Sequence, residues 1–287
     1  MLATARPALA TLILLLSGAL HAQDLDGSKI FTTDTSPQEP GTFSLNLQYL
    51  TSTATTEFAS GGGRSLLGGG RQSQLFNLSV AAGLADNLDL TLTSGLNNLQ
   101  DSLQEDPDED EFSLGGGGAR GSGLTNLNAS LRWRFWQDEE EGRSLAFTTG
   151  PALNSDLQKV GGNYQVNGTF LAWQQSLLLR QDFDPFVANL EIYYSFPLQS
   201  SEQTYRQFST NMGLGWNAND WLLPVVELNY SSVTPSLNEP IESLSVTGGL
   251  ILKPSEAWQF TLGVQRSVAG RNIENYTSFT LGTSVNF

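Results

Sequence analysis

The chain has 287 residues, no cysteine, one histidine and a formal net charge of −15 at pH 7. Without cysteine it can carry neither a disulfide framework, nor a cysteine lipid anchor, nor a thiolate metal site. Its acidity excludes a nucleic-acid-binding function, because contacts to phosphates require a basic face.

Residues 1–22 have the composition of a cleaved secretory signal peptide. Arg6 precedes an apolar run that ends at Leu16, and small residues follow up to Ala22. The run is shorter than the roughly 18 to 20 apolar residues that a membrane helix needs. We predict cleavage after Ala22, with cleavage after Ala19 as the alternative. Removal of Arg6, the one charged residue of this segment, changes the net charge from −15 to −16.

Residues 23–41 show no periodicity and contain Pro37 and Pro40. We interpret them as a periplasmic N-terminal tail, which either stays outside the rest of the protein or folds into the mouth of its lumen. From residue 42 to residue 287, segments with alternating apolar and polar residues are separated by two kinds of connection. Short connections with Asx, Gly and Pro turn chemistry lie at 85–87, 137–143, 182–185, 217–220 and 253–257. Longer connections, rich in glycine or charge, lie near 59–72, 104–121, 155–167, 199–206, 232–242 and 268–275.

These eleven connections delimit twelve strands. The predicted strands are 42–57, 73–84, 88–102, 122–136, 144–154, 168–181, 186–198, 207–216, 221–231, 243–252, 258–267 and 277–287. An even number of strands places both termini on one side of a membrane, as in single-chain barrels with short periplasmic turns. The predicted fold is therefore all-β: a transmembrane antiparallel up-and-down β-barrel over residues 42–287. A soluble β-sandwich shows the same period of two and is the competing interpretation.

The distribution of aromatic residues favours the barrel over the sandwich. Five tryptophans lie beside the short connections, where an aromatic girdle at the membrane interface is expected. A soluble sandwich has no reason to collect tryptophans at one end of its strands. The predicted girdle consists of Trp133, Trp136, Trp216, Trp221, Trp258 and Phe287.

The last strand alternates strictly and ends on Phe287. A terminal strand that is apolar outside, polar inside and closed by an aromatic residue is typical of Gram-negative outer-membrane barrels. We therefore predict an outer-membrane location, and the barrel-assembly machinery as a partner that reads this strand. The other predicted partners are membrane lipid, lipopolysaccharide and a small solute. The acidic loop 105–111 lacks the Gly and Glu positions of an EF-hand and would instead meet cations bound to lipopolysaccharide.

The strand parity also predicts which ionisable residues face the lumen. With His21 in the signal peptide, histidine-dependent nucleophilic catalysis is unavailable, so we predict no catalytic residues, no metal and no cofactor. The inward charges either pair and plug a narrow barrel or form a solute-selecting constriction; acid–base catalysis by Glu191 and Glu227 is the third alternative. The candidate pore-lining residues are Asp89, Arg132, Arg134, Arg180, Glu191 and Glu227.

Four segments together resemble the outer-membrane barrel family of the putative meta-pathway of phenol degradation: residues 83–90, 123–132, 224–230 and the terminal strand. Asn126 stands where that family commonly has Asp. The resemblance implies a channel or uptake barrel for passive passage of a small solute, with aromatic or other small hydrophobic compounds as the candidate solutes. The alternative function is a closed structural or surface-recognition barrel that acts through its extracellular loops.

Overall fold

The structure is a computed structural model that describes residue 30 and residues 35–101, 120–160, 163–199, 201, 204–236 and 239–287. The predicted signal peptide and the acidic loop 105–111 lie outside these residues, so both stay predictions. None of the described residues forms a helix long and apolar enough to cross a membrane.

Twelve antiparallel strands form one closed barrel in which each strand pairs with its neighbours in the sequence and the first pairs with the last. This confirms the predicted fold and strand number. The strands are β1 (Phe43–Phe58), β2 (Arg64–Ala85), β3 (Leu88–Asp101), β4 (Arg120–Asp138), β5 (Arg143–Val160), β6 (Asn163–Phe183), β7 (Phe186–Pro197), β8 (Tyr205–Trp216), β9 (Leu222–Pro235), β10 (Ile241–Ser255), β11 (Trp258–Arg271) and β12 (Ile273–Asn286).

The seam between β1 and β12 is paired along its whole length, from Ser44 opposite Asn286 to Phe58 opposite Ile273. At the end of the seam where β1 begins and β12 ends, Phe43 and Phe287 exchange backbone hydrogen bonds of 3.0 and 2.8 Å. A closed barrel leaves no unpaired strand edge, which is what allows strands to cross a bilayer that offers no hydrogen-bonding partners.

Side chains alternate between the two faces of the wall, as the sequence pattern predicted. In β2, Phe76, Leu78 and Val80 are exposed outside, whereas Ala81 is buried inside. The pattern was ambiguous in β6, where three leucines follow one another; there Leu178 is fully buried inside, and its two neighbours point outward. Large apolar side chains are exposed on the outer face of all twelve strands. An exposed apolar surface of this extent is unfavourable in water and is what contact with a bilayer requires.

The strands are longer than predicted on the side of the long connections. The predicted loops at 59–72, 155–167 and 268–275 are wrong as loops, because most residues of each belong to strands. Pairing needs only backbone groups, so glycine-rich and polar residues continue a ladder without an apolar face to reveal them. Between β11 and β12 only Asn272 remains as a connection, with a φ of 53°.

We call the end that carries the termini and short turns the turn end, and the opposite end the loop end.

Candidate functional site in the barrel lumen

A hydrogen-bonded polar belt runs along the inner wall from β6 to β11. Ser176 and Asn211 donate to the two carboxylate oxygens of Glu191 at 3.1 and 3.2 Å. Asn229 donates to Asn211 at 3.2 Å, and its own carbonyl accepts from Thr247 at 3.0 Å and Gln265 at 3.2 Å. Along each strand these polar residues alternate with apolar residues that face outward. The alternation of a β-strand therefore places all the polar residues of the belt on the inner face. The belt gives half of the circumference a continuous polar surface.

Glu227 on β9 lies beside the belt and is 1% exposed. Its Oε1 accepts a hydrogen bond of 2.9 Å from the backbone N–H of Ile30, and the carbonyl of Ile30 accepts one of 3.3 Å from Gln48. The side chain of Ile30 rests on two directly paired glycines: a Cβ on Gly249 would lie 2.1 Å from its Cδ1, and one on Gly263 would lie 3.0 Å away. These glycines therefore create the space that Ile30 fills.

The rest of the described tail is anchored to the opposite wall. The hydroxyl of Thr35 lies 2.6 Å from that of Ser144 on β5, and the N–H of Gln38 donates to Asp89 on β3 at 3.0 Å. Pro40 then pairs with Gly83 before β1 begins. Ile30, Thr35 and Pro37 are all buried. The sequence left open whether the tail stays outside the barrel or folds into the lumen. The described residues of the tail lie inside the lumen.

Asp89 and Arg132 form a buried ion pair. They stand directly opposite each other on β3 and β4, and Arg132 contacts Asp89 Oδ2 through both Nε, at 3.0 Å, and Nη2. Their side chains are 0% and 12% exposed. The strand register therefore sets the two side chains at one level of the barrel. Asp89 Oδ2 thus holds both the wall arginine and the tail.

Replacement of Arg132 by Gln is expected to destabilise the barrel by about 2 kcal/mol, because it leaves the buried Asp89 carboxylate with only the tail N–H as a described charge-stabilising partner. The control is Arg143→Gln, which breaks an exposed pair with Glu141 worth about 0–1 kcal/mol. Urea unfolding of the folded protein in lipid vesicles, followed by tryptophan fluorescence, measures both. Equal losses in the two variants would contradict a structural role for the buried pair.

A polar cavity of about 810 Å³ opens at the turn end, between the tail and the wall. Arg180 faces it and holds Asp182 with two hydrogen bonds of 2.8 and 3.0 Å, while Arg134 donates to the carbonyl of Asp86 at 3.3 Å. Three arginines and six acids line the cavity, so its net charge is negative. The acids are Glu39, Asp86, Asp138, Glu139, Asp182 and Glu256.

Near the loop end part of the inner wall is apolar rather than polar. Phe170 on β6 packs edge-on against Tyr205 on β8 with ring centroids 4.9 Å apart, and Ala152 and Ala172 complete a buried apolar surface. An ion pair between Arg71 and Glu274 also lies there. Sequence reasoning missed the ion pair because it assigned Arg71 and Glu274 to loops, and it missed the aromatic contact because it assigned Tyr205 to the connection at 199–206. Longer strands would have turned these residues inward by their parity.

Among the described residues no three His, Cys, Asp or Glu side chains are grouped to hold a metal ion. Glu191 and Glu227, the carboxylates considered for acid–base catalysis, stand on β7 and β9 with β8 between them. Both accept hydrogen bonds from neutral groups: a serine hydroxyl, an amide and a backbone N–H.

The predicted girdle tryptophans all lie near the turn end and point outward. Their exposed fractions range from 42% to 54%. Trp258 stacks on Phe260 with ring centroids 6.0 Å apart, and Trp133 contacts Phe135 at 5.7 Å. Phe287 is half-buried at the seam. That these residues mark a membrane interface stays a prediction.

The fold was compared with solved structures. An outer membrane channel from Pseudomonas putida F1 matches with a TM-score of 0.71 and 12% sequence identity, over 90% of this chain and 100% of that one. The fold is that of outer-membrane β-barrels. The NanC porin matches this barrel less closely, with a TM-score of 0.52 and 7% identity over 84% of this chain and 98% of its own.

The translocator domain of the autotransporter NalP from Neisseria meningitidis is similar at the same level, with a TM-score of 0.51 and 13% identity over 99% of this chain and 95% of that one. No protein-family model and no curated protein matches the sequence. At these identities the likeness concerns the fold of the barrel. The resemblance to the phenol meta-pathway family stays a prediction.

Proposed function

We propose that the protein is an outer-membrane channel for passive passage of a small solute. The observation that carries this proposal is a polar inner wall, the belt from Ser176 to Gln265, inside a barrel whose outer surface is apolar. A structural barrel gains nothing from that arrangement, because an apolar filling would be at least as stable as a buried polar network. A polar lined lumen serves solutes that must stay hydrated or hydrogen-bonded while they cross.

The lumen is narrow. Twelve strands stand between the eight whose interior side chains can fill and the sixteen to eighteen that leave an open aqueous channel. The described residues of the tail occupy part of that interior, since Ile30 lies against β9–β11 and Thr35 against β5. Passage is therefore limited to small molecules.

The solute class that fits the wall is a small molecule with both polar groups and an apolar ring. The belt offers amide and hydroxyl partners, and the surface of Phe170 and Tyr205 near the loop end offers a place for a ring to stack. The two belt-level carboxylates, Glu191 and Glu227, and the acidic cavity at the turn end favour cationic over anionic solutes. An aromatic solute, which the sequence resemblance implies, fits this description where it also carries hydrogen-bonding groups.

The test is single-channel conductance of the folded protein in a planar lipid bilayer, compared with the Glu227→Gln variant. Glutamine keeps the acceptor oxygen for the Ile30 N–H and removes the charge. The cation-over-anion permeability ratio is expected to fall by about twofold or more. Glu242→Gln is the matched control, because Glu242 lies on the outer face, where Tyr230 donates to it at 3.4 Å.

Each result separates the channel from the competing closed barrel. Discrete conductance steps whose selectivity changes in Glu227→Gln but not in Glu242→Gln support a channel and locate its filter. Silence of a barrel that is shown to be folded by its altered migration on unheated gels would refute the channel. Loop deletion would then be expected to abolish function while the barrel stays closed.

The barrel-assembly machinery is part of the same proposal. The strand that ends at Phe287 closes the seam with β1, and Phe43 and Phe287 hydrogen-bond to each other. A strand that must close the barrel last is a suitable signal for insertion, and Phe287 gives it an aromatic end.

A further inference from the structure

The outer wall over β10–β12 and β1 carries a groove of about 490 Å³ with apolar walls. Its floor exists because Gly248 points outward without a side chain: a Cβ built there meets no atom within 4 Å. Exposed apolar side chains border the groove on both sides. They are Leu250, Leu262, Val264, Phe279 and Leu281.

A second groove of about 660 Å³ lies beside the first, over β12 and β1–β3, and shares Tyr49 and Leu281 with it. The ring of Tyr49 packs against Phe76 with centroids 4.7 Å apart. Two adjacent apolar grooves that share a wall suit an amphiphile with several acyl chains better than one with a single chain.

An arginine stands at the loop end of the first groove. Arg266 is outward-facing and exposed, two residues above Val264, and no hydrogen bond or ion pair joins it to another part of the described chain. Thr277 lies directly opposite it on β12, and Thr53 lies opposite Thr277 on β1. A cation and two hydroxyls therefore form an outward polar row above an apolar surface.

The height of Arg266 matches a membrane interface. It lies eight residues above Trp258 on the same strand, which at about 3.3 Å per residue and a tilt of about 40° is roughly 20 Å along the barrel axis. The apolar band of outer-membrane barrels is about 25 Å tall. Short turns face the periplasm in this fold, so Arg266 reaches the level of the headgroups of the outer leaflet.

The geometry points to a site on the barrel wall for lipid A, the phosphorylated multi-acyl anchor of lipopolysaccharide. Arg266 binds a lipid A phosphate in the charge-assisted, forked geometry that guanidinium groups form with phosphates, and Thr277 donates to the same group. The two grooves take the acyl chains. This inference goes beyond the proposed channel and does not depend on whether the lumen conducts.

The test measures binding of purified bisphosphorylated lipid A to the detergent-purified full-length protein by native mass spectrometry. Arg266→Gln removes the cation, and Gly248→Leu fills the groove floor where the wall has room for it. Each is expected to weaken lipid A binding about tenfold, which corresponds to ~1.4 kcal/mol. Arg266→Gln should also abolish the preference for bisphosphorylated over dephosphorylated lipid A, whereas Gly248→Leu should keep it.

Two matched variants control for general effects. Arg206→Gln removes another exposed outward arginine near the loop end, three strands away on β8, and Val80→Leu enlarges an exposed outward side chain on β2. Both are expected to bind lipid A as the unchanged protein does. Equal weakening in Arg206→Gln and Arg266→Gln would overturn the site in favour of a diffuse charge belt. Tighter binding of phosphatidylglycerol than of lipid A, or normal binding by Gly248→Leu, would also overturn it.

Discussion

Deletion of residues 23–38 is expected to raise the single-channel conductance several-fold, roughly two- to fivefold, because the described residues of this segment lie inside a lumen that twelve strands already keep small. The described part of this segment holds Glu227, Ser144 and Asp89 through Ile30, Thr35 and Gln38. The deletion keeps Glu39 to Thr42, which pack on Gly83 and lead into β1. Planar-bilayer recording of the deletion variant beside the unchanged protein measures the effect.

The substitution Ile30→Ser perturbs the same segment less than the deletion does. It keeps the backbone bond to Glu227 but removes the side chain that fills the space over Gly249 and Gly263. We expect short openings to the larger conductance level, since the segment loses packing but not all of its anchors. If the deletion variant folds and conducts as the unchanged protein does, the tail does not narrow the lumen.

Replacement of Gly150 by Ala is expected to destabilise the barrel by about 3 kcal/mol or more, because a methyl group there has no room. A Cβ on Gly150 would lie 1.9 Å from the carbonyl oxygen of Ala129. The ladder between β4 and β5 is interrupted beside it, between the pairs Asn128–Ala152 and Leu131–Thr149. Pro151 lies in that interval and cannot donate a ladder hydrogen bond. Gly150 has no side chain, which lets the backbone of Ala129 and Ser130 approach it closely.

The matched control is Gly248→Ala, where the added methyl group meets no atom within 4 Å and the expected change is within about 0.5 kcal/mol. Urea-dependent folding into lipid vesicles, followed by tryptophan fluorescence, compares both variants with the unchanged protein. If Gly150→Ala and Gly248→Ala unfold at the same urea concentration, the close approach of β4 and β5 is not a constraint on the folded barrel.

The class of fold, the number of strands and the face on which each side chain lies could be read from the sequence. The reason is that side chains of a barrel wall alternate with a period of two residues between two environments, lipid and lumen. The apolar residues at every second position, such as Phe76, Leu78 and Val80, are therefore the ones that face outward. Turn chemistry marked the five short connections for the same local reason. Leu178 shows the limit of that method: among three consecutive leucines only the paired register decides which one faces inward.

The direction of each candidate side chain was predictable but its partners were not, and the pore-lining role of these residues stays a prediction. Parity turned Asp89, Arg132, Glu191 and Glu227 toward the lumen, and the structure describes each there. The hydrogen-bond partners of each residue depend on the register between neighbouring strands and on residues that are distant in the sequence. Glu227 meets Ile30 across 197 positions of the chain, and no local pattern carries that information.

The sequence by itself therefore determined a transmembrane barrel with a polar interior, because alternation, turn residues and the placement of tryptophan are local properties of the chain. Only the tertiary structure decided where the strands end, since backbone pairing extends β5, β6, β11 and β12 through residues with no apolar period. Only the tertiary structure decided that the described residues of the tail lie inside. Closure of twelve strands encloses a space, and paired glycines at 249 and 263 leave room in that space for one isoleucine.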